Sequence, residues 1–322
     1  MKEILIGVNE SDQRLDRFLK KYLRNAPLSY IYKLIRKDVK VNGKRQKEDY
    51  VLLEGDLLKL YISDDEIKKL TFKSKRQKAK KQFNVIYEDD NILIVDKPFG
   101  LLTHGDQNEK KNHLANQVID YLIGKGDYIP GMEKSFTPAP ANRLDRNTTG
   151  LVLFGKNAMA LKELNKLIRE RDSIDKYYLT IIKGKIEKET ILESKMLKDE
   201  DKNQIRVLPL DSKEGKSMET IIYPMEKLKG FTLVKVKIVT GRTHQIRAHL
   251  SSIGHPIIGD TKYGEGRINR KFKDVGLETQ LLHSYILEFK DTSDSLDYLK
   301  GKSFKAPIPR DFEKVLRSID GR

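Results

Sequence analysis

The sequence predicts an α+β protein in two folded parts, and three observations carry that prediction. Helical periodicity dominates residues 15–35, short strand-like runs dominate from residue 84 onward, and a block of unopposed positive charge lies between them. With 322 residues the chain is long enough for a substantial core and a small accessory domain. The expected division is a small α+β domain at 1–62, a basic linker at 63–82 and a large domain at 83–322.

In the first part, residues 3–8 read as a short strand, and Ser11 or Asp12 is placed to cap the helix that follows. Leu15, Phe18, Leu19, Tyr22 and Leu23 have the spacing of one helical face, which Pro27 stops. Ser29 is the expected cap of a second helix with Ile31, Leu34 and Ile35 inward and Lys33, Arg36 and Lys37 outward. Residues 39–41 read as a strand entering the turn Asn42-Gly43, since Asn-Gly favours positive φ. A turn at Glu54-Gly55-Asp56 leads to a strand over 57–62. Between Lys68 and Lys81 eight basic residues stand without an acidic one, so this segment repels itself and is expected to stay extended.

The large domain opens with strands at 84–87 and 92–95 around the turn Glu88-Asp89-Asp90-Asn91, a hairpin signature. A helix follows at 114–123, then a Gly- and Pro-rich loop to Pro140, a strand at 151–155 and a helix at 157–170. Strand-like runs recur at 204–208, 219–223 and 231–239. A last helix within 240–254 sets Ile246, Leu250 and Ile253 on one face, with Gly254 as its C-cap.

Composition narrows the function. The net charge of +16 points to a polyanionic partner, because neutralising phosphates releases counterions and drives nucleic-acid binding. Cysteine is absent, which excludes disulfides, thiolate catalysis and cysteine metal sites. No apolar run suits a signal peptide, and none approaches the roughly 20 residues that span a bilayer. A soluble cytoplasmic protein is expected. Gly-Lys-Ser occurs at 215–217 and 301–303 without the upstream glycine of a phosphate-binding loop. His244 and His249 stand five apart, the wrong spacing for a shared metal on one helix face.

The most informative stretch is Asn142-Arg143-Leu144-Asp145-Arg146-Asn147-Thr148-Thr149-Gly150, just before the apolar run Leu151–Phe154. An arginine on each side of Asp145 favours the charged carboxylate, which can serve as a nucleophile or general base. The stretch resembles the H/N-R-L-D-x-x-T-S/T-G motif of the RluA/RluC/RluD group of pseudouridine synthases, with Asn142 where histidine is frequent. Four further landmarks are similar to that family, in its order. They are Asp96-Lys97-Pro98-Phe99-Gly100 with Thr103-His104; Lys176-Tyr177-Tyr178-Leu179-Thr180; Gly241-Arg242-Thr243-His244-Gln245-Ile246-Arg247-Ala248-His249; and Gly254–Gly264 with the closing Leu282-His283-Ser284 and Phe304–Pro309. The first part resembles the S4 RNA-binding domain.

This resemblance implies a large mixed, mostly antiparallel sheet with flanking helices behind an S4-like domain. It implies an enzyme that breaks the N1–C1′ bond of uridine, turns the base and rejoins it through C5, without cofactor or metal. Asp145 becomes the essential carboxylate, either attacking sugar or base or removing a ribose proton. Arg247 becomes its ion partner, Tyr178 the ring that stacks on the target base (Tyr177 if the register slips by one), and Arg143 the wedge that fills the vacated stack. Arg242, His104, Lys33, Arg36, Lys37 and Arg45 become RNA contacts. Pro98, Gly100 and the Gly254–Gly264 block read as structural. The layout is most like the large-subunit ribosomal members, of RluC type ahead of RluD type, acting as monomers on 23S rRNA or its precursor, with tRNA or RluD-type rRNA sites as the alternative targets. A non-catalytic RNA-binding assembly factor would explain the charge but not the intact motifs, and a glycosidase would need a second acid that they lack.

Overall fold

The computed structural model describes residues 1–71, 78–130, 134–199 and 204–321. Two cores form, each with its own sheet. In the first, strands β1 (Lys2–Leu5), β2 (Val39–Val41) and β3 (Leu57–Leu60) pair antiparallel in the order β1-β3-β2. Helices α1 (Leu15–Tyr22) and α2 (Leu28–Asp38) bury Leu15, Phe18, Leu19, Ile31, Leu34 and Ile35 against that sheet. Asn42 and Gly43 take positive φ, as the turn chemistry requires.

Three local expectations fail here. Neither Ser11 nor Asp12 caps α1: Ser11 Oγ donates to Val8 O, and Asp12 sits in a left-handed turn. Ser29 lies inside α2, whose N-cap position is Pro27. The segment expected to be an extended linker begins instead with α3 (Asp64–Thr71), whose Ile67 and Leu70 pack on the first core. Ser63 Oγ accepts the Glu66 N–H, and three acidic residues occupy the first turn. The Ser63-Asp64-Asp65-Glu66 sequence is the pattern of a capping box, a legible signal outweighed by the basic run after it. Lys73, Lys75 and Arg76 of that run lie outside the described residues. Beyond them, Ala79 N–H and Gln82 N–H donate to Asp120 and Gln117, tying the chain to the large domain.

That domain is built on an 11-stranded sheet. Its strands are β4 (Asn84–Glu88), β5 (Ile92–Lys97), β6 (Ala139–Pro140), β7 (Thr149–Gly155), β8 (Ile174–Lys183), β9 (Thr190–Asp199), β10 (Gln204–Leu208), β11 (Lys216–Leu228), β12 (Phe231–Ile238), β13 (Leu282–Phe289) and β14 (Ser303–Lys305). The main order is β10-β9-β11-β12-β8-β13-β7-β5-β4, antiparallel except where β13 runs parallel to β7. The mixed, mostly antiparallel sheet is therefore as expected.

Helices cover both faces, which explains why Ile92–Val95 is a continuous apolar run rather than an alternating one. Leu93 and Val95 pack with α4 (Leu114–Lys125) and α6 (Gln245–Ser252). Ile92 and Ile94 pack with α5 (Ala158–Arg169), and α8 (Arg310–Asp320) adds Phe312 and Val315 beneath β8. Asn157 caps α5 by accepting the Ala160 N–H. β9 escapes sequence reading because Ile191 and Leu197 face solvent among charged neighbours, which destroys the alternation. Gly254 takes positive φ just past α6 as predicted, but Ile253 is exposed and adds nothing to the buried face.

Candidate active site

Strand β7 begins at the Asp145 loop, and three side chains brace the two: Asn142 of the stretch itself, and Thr103 and Lys97 from an earlier segment. Asn142 Oδ1 accepts the Leu153 N–H at 2.8 Å, while its amide donates to Leu151 O. Thr103 Oγ accepts from Leu144 N–H and donates to Leu144 O. Lys97 Nζ, fully buried, donates to Arg146 O at 2.9 Å and also to Leu101 O and Pro98 O. Asn142, which the sequence leaves without a task, is thus a backbone brace. The Asp96–Gly105 segment supplies the other two braces, on either side of Asp145.

Downstream, Thr149 Oγ lies 2.8 Å from His283 Nδ1. Gly150, at φ 103°, presses on β13: a Cβ there would stand 2.1 Å from Ser284 O. Glycine is required because the left-handed backbone and the close approach each exclude a side chain.

Asp145 projects from this clamped loop with its side chain 31% exposed. The nearest nitrogens to its carboxylate are Arg247 Nη1 at 3.5 Å and His244 Nε2 at 3.8 Å, both delivered by the start of α6. The flanking arginines do not pair with it as their position in sequence suggested: Arg146 reaches Asp106 at 3.3 Å, and Arg143 is exposed on the cleft wall. Arg247 is chiefly held by Asp260, through Nε at 2.6 Å and Nη2 at 2.8 Å, both groups buried. Asp260 also accepts the Lys262 and Tyr263 N–H groups. Burial opposes charge on both members of the pair, but their mutual bonds win, raising the arginine and lowering the aspartate. The Gly254–Gly264 block, expected to be structural, therefore anchors the arginine that faces Asp145.

His244 sits at φ 52°, which swings its ring toward Asp145 ahead of the helix. Tyr263 hydroxyl accepts the Ile205 N–H and lies 3.0 Å from His244 Nδ1. Donation of its proton to Nδ1 leaves the Nε2–H directed at Asp145. Burial lowers the His244 pKa, against the pull of Asp145. Lys97 is also perturbed: burial pushes it down to about 7, with Asp145 and Asp96 opposing. A cluster of shifted groups around one carboxylate is the electrostatic signature of a functional cleft.

That cleft has a volume of about 530 Å³, within the range for sites holding one small ligand. Tyr178, Arg242, Arg143 and His104 line it together with Asp145 and Arg247, so six predicted site residues converge. Among its described lining residues Asp145 is the sole carboxylate. Tyr178 is buried within the cleft and its hydroxyl is pushed up to about 12 by burial. Tyr177 lies on the opposite strand face against Tyr223, so of the two tyrosines Tyr178 is the one in the cleft. Lys33, Arg36, Lys37 and Arg45 are exposed on the first unit and take no part in the cleft. His249 is buried between Ser194 and Thr220. Among the described residues no cluster of three potential metal ligands occurs, and no helix is long and apolar enough to cross a membrane.

A family model described as RNA pseudouridylate synthase matches residues 91–252. A protein named ribosomal large subunit pseudouridine synthase C from Vibrio parahaemolyticus is 33% identical over 316 residues, 97% of this chain and 94% of that protein. The chain belongs to the RNA pseudouridylate synthase family. A pseudouridine synthase of the same name from Salmonella typhi is 34% identical over 99% of this chain and 97% of its own length. The solved structure of human RNA pseudouridylate synthase domain containing 4 shares the fold, with a TM-score of 0.58 at 20% identity over 73% of this chain and 92% of that one. As a pseudouridine synthase, the protein is an RNA-modifying isomerase.

His244, Asp260, Tyr263 and the bracing roles of Lys97 and Thr103 escape sequence reasoning. Lys97 had a usable signal: it extends a strand buried on both faces. Asp260 had none, because nothing local ties it to Arg247.

Proposed function

We propose that this protein converts uridine to pseudouridine in large-subunit ribosomal RNA, with Asp145 as its essential carboxylate. The observation that carries this reading is the lone Asp145 carboxylate, beside three backbone braces, in a cleft where arginines and a lysine supply the other formal charges. Cations on the walls suit the RNA backbone, and a single acid suits chemistry on one nucleotide. The target RNA follows the names of the near-full-length relatives.

A uridine in folded RNA must leave its stack to reach a cleft of this size. Arg143, exposed two residues before Asp145, fills the vacated stack, and Tyr178 stacks on the flipped uracil, a contact of about 1–3 kcal/mol. Arg247 orients Asp145, while Arg242 and His104 hold the RNA at the cleft wall. The N-terminal unit acts as an S4-like docking module through exposed Lys33, Arg36, Lys37 and Arg45. The reading places this activity in a cytoplasmic monomer.

Isomerisation frees the hydrogen at C5, so tritium release from 5-labelled uridine RNA measures turnover. Asp145→Asn is expected to release none while binding RNA as the parent does; continued release overturns the assignment. Mapping pseudouridines by carbodiimide-blocked primer extension, with and without the gene, tests the target: an unchanged large-subunit pattern refutes it.

A further inference from the structure

Of the buried cations among the described residues, Lys97 gives its protons to three carbonyls and Arg247 is held by Asp260. Lys176 is 6% exposed, and its amine has no hydrogen bond or ion pair among the described residues. The side chain is almost wholly buried, yet its amine keeps contact with solvent, so the ammonium opens to the cleft with no bonded partner there. Its neighbour Asp175 lies on the other sheet face, paired with Lys237 and Lys290 at 2.7 and 2.6 Å, so it attracts Lys176 without bonding to it. Burial lowers the Lys176 pKa; Asp175 opposes this and Lys237 adds to it. What Lys176 does face is the cleft, whose wall it shares with Tyr178, Arg169 and Arg171.

We propose that Lys176 binds the RNA backbone phosphate adjoining the flipped uridine. An unpaired cation calls for an anion, and the uracil ring is neutral. Along β8, Lys176 and Tyr178 project to the same side about 7 Å apart, close to the separation of a nucleotide's base from its phosphate. Arg169 and Arg171, at the end of α5, extend the same positive rim. Lys176 thus fixes the nucleotide's position while Tyr178 receives the base. This inference rests on the reading that a flipped uridine occupies the cleft.

The test uses an RNA stem-loop carrying the mapped uridine, made with natural phosphates or with one neutral methylphosphonate on either side of it. Wild-type protein should bind one methylphosphonate RNA about tenfold more weakly than the natural RNA. For that RNA the slope of log affinity against log salt should fall by about 0.7–0.9, the value of one phosphate contact. Lys176→Met should lose about tenfold on natural RNA and nothing further on that methylphosphonate, whereas Lys176→Arg should keep both affinity and sensitivity. Equal methylphosphonate losses in the wild type and Lys176→Met overturn the proposal, as does a variant that lowers kcat with the salt slope unchanged. The wild-type salt slopes decide the matter if Lys176→Met fails to fold. Tritium release by Asp145→Asn would instead refute the underlying reading of the cleft.

Discussion

Asp260→Asn isolates the buried pair that orients the active-site arginine. The substitution keeps the shape of the side chain but removes the charge opposite Arg247 Nε and Nη2, now 2.6 and 2.8 Å away. Removing one partner of a buried pair leaves the other uncompensated, at a cost of about 3–5 kcal/mol. For a domain of this size each kcal/mol lowers Tm by about 2–4 °C, so a drop on the order of 10 °C is expected. Freed from Asp260, the guanidinium can close on Asp145, which it now meets only at the 3.5 Å distance of Nη1. Tighter pairing restrains the carboxylate, and each 1.36 kcal/mol of restraint costs about tenfold in rate. Calorimetry gives Tm, and tritium release at 20 °C gives kcat with both proteins folded. Asp260→Glu, which keeps the charge, should lie between the two. A Tm within about 2 °C of wild type and an unaltered kcat would refute the idea that Asp260 positions Arg247.

Two further outcomes follow from buried groups away from the carboxylate. His249 and His283 are buried and neutral, each pushed by burial from 6.5 down to about 4. Between those values the unfolded chain binds more protons, so stability falls as pH falls through this window, by about 3 kcal/mol per histidine at 1.36 kcal/mol per pH unit. Urea midpoints across pH 4–7 should show that slope, and His249→Gln should flatten it; identical slopes would contradict it. Gly150→Ala forces a Cβ to within 2.1 Å of Ser284 O at φ 103°. Overpacking and left-handed strain together cost about 3–5 kcal/mol, and a urea midpoint equal to wild type would rule that packing out.

The sequence makes the central carboxylate, the cleft tyrosine and the facing arginine legible because each lies in a short run with a fixed internal order. It also yields most strands and helices of the sheet, since burial on one or both faces leaves a local apolar pattern. It misses β9, whose apolar residues point to solvent, and helix α3, whose capping pattern is overshadowed by a charged run.

The residues and their chemical types come from the sequence alone: one aspartate among arginines, a tyrosine strand and a basic surface. Their partners are decided only by the tertiary structure. Arg143 and Arg146 flank Asp145 in the chain yet form no ion pair with it among the described residues, while Arg247 arrives from 102 positions away. Lys97, Thr103 and Asp260 act across gaps of 13 to 49 residues. Charge and hydrogen bonding act through space over a few ångströms, so a distance along the chain carries no information about them until the strands have set their register.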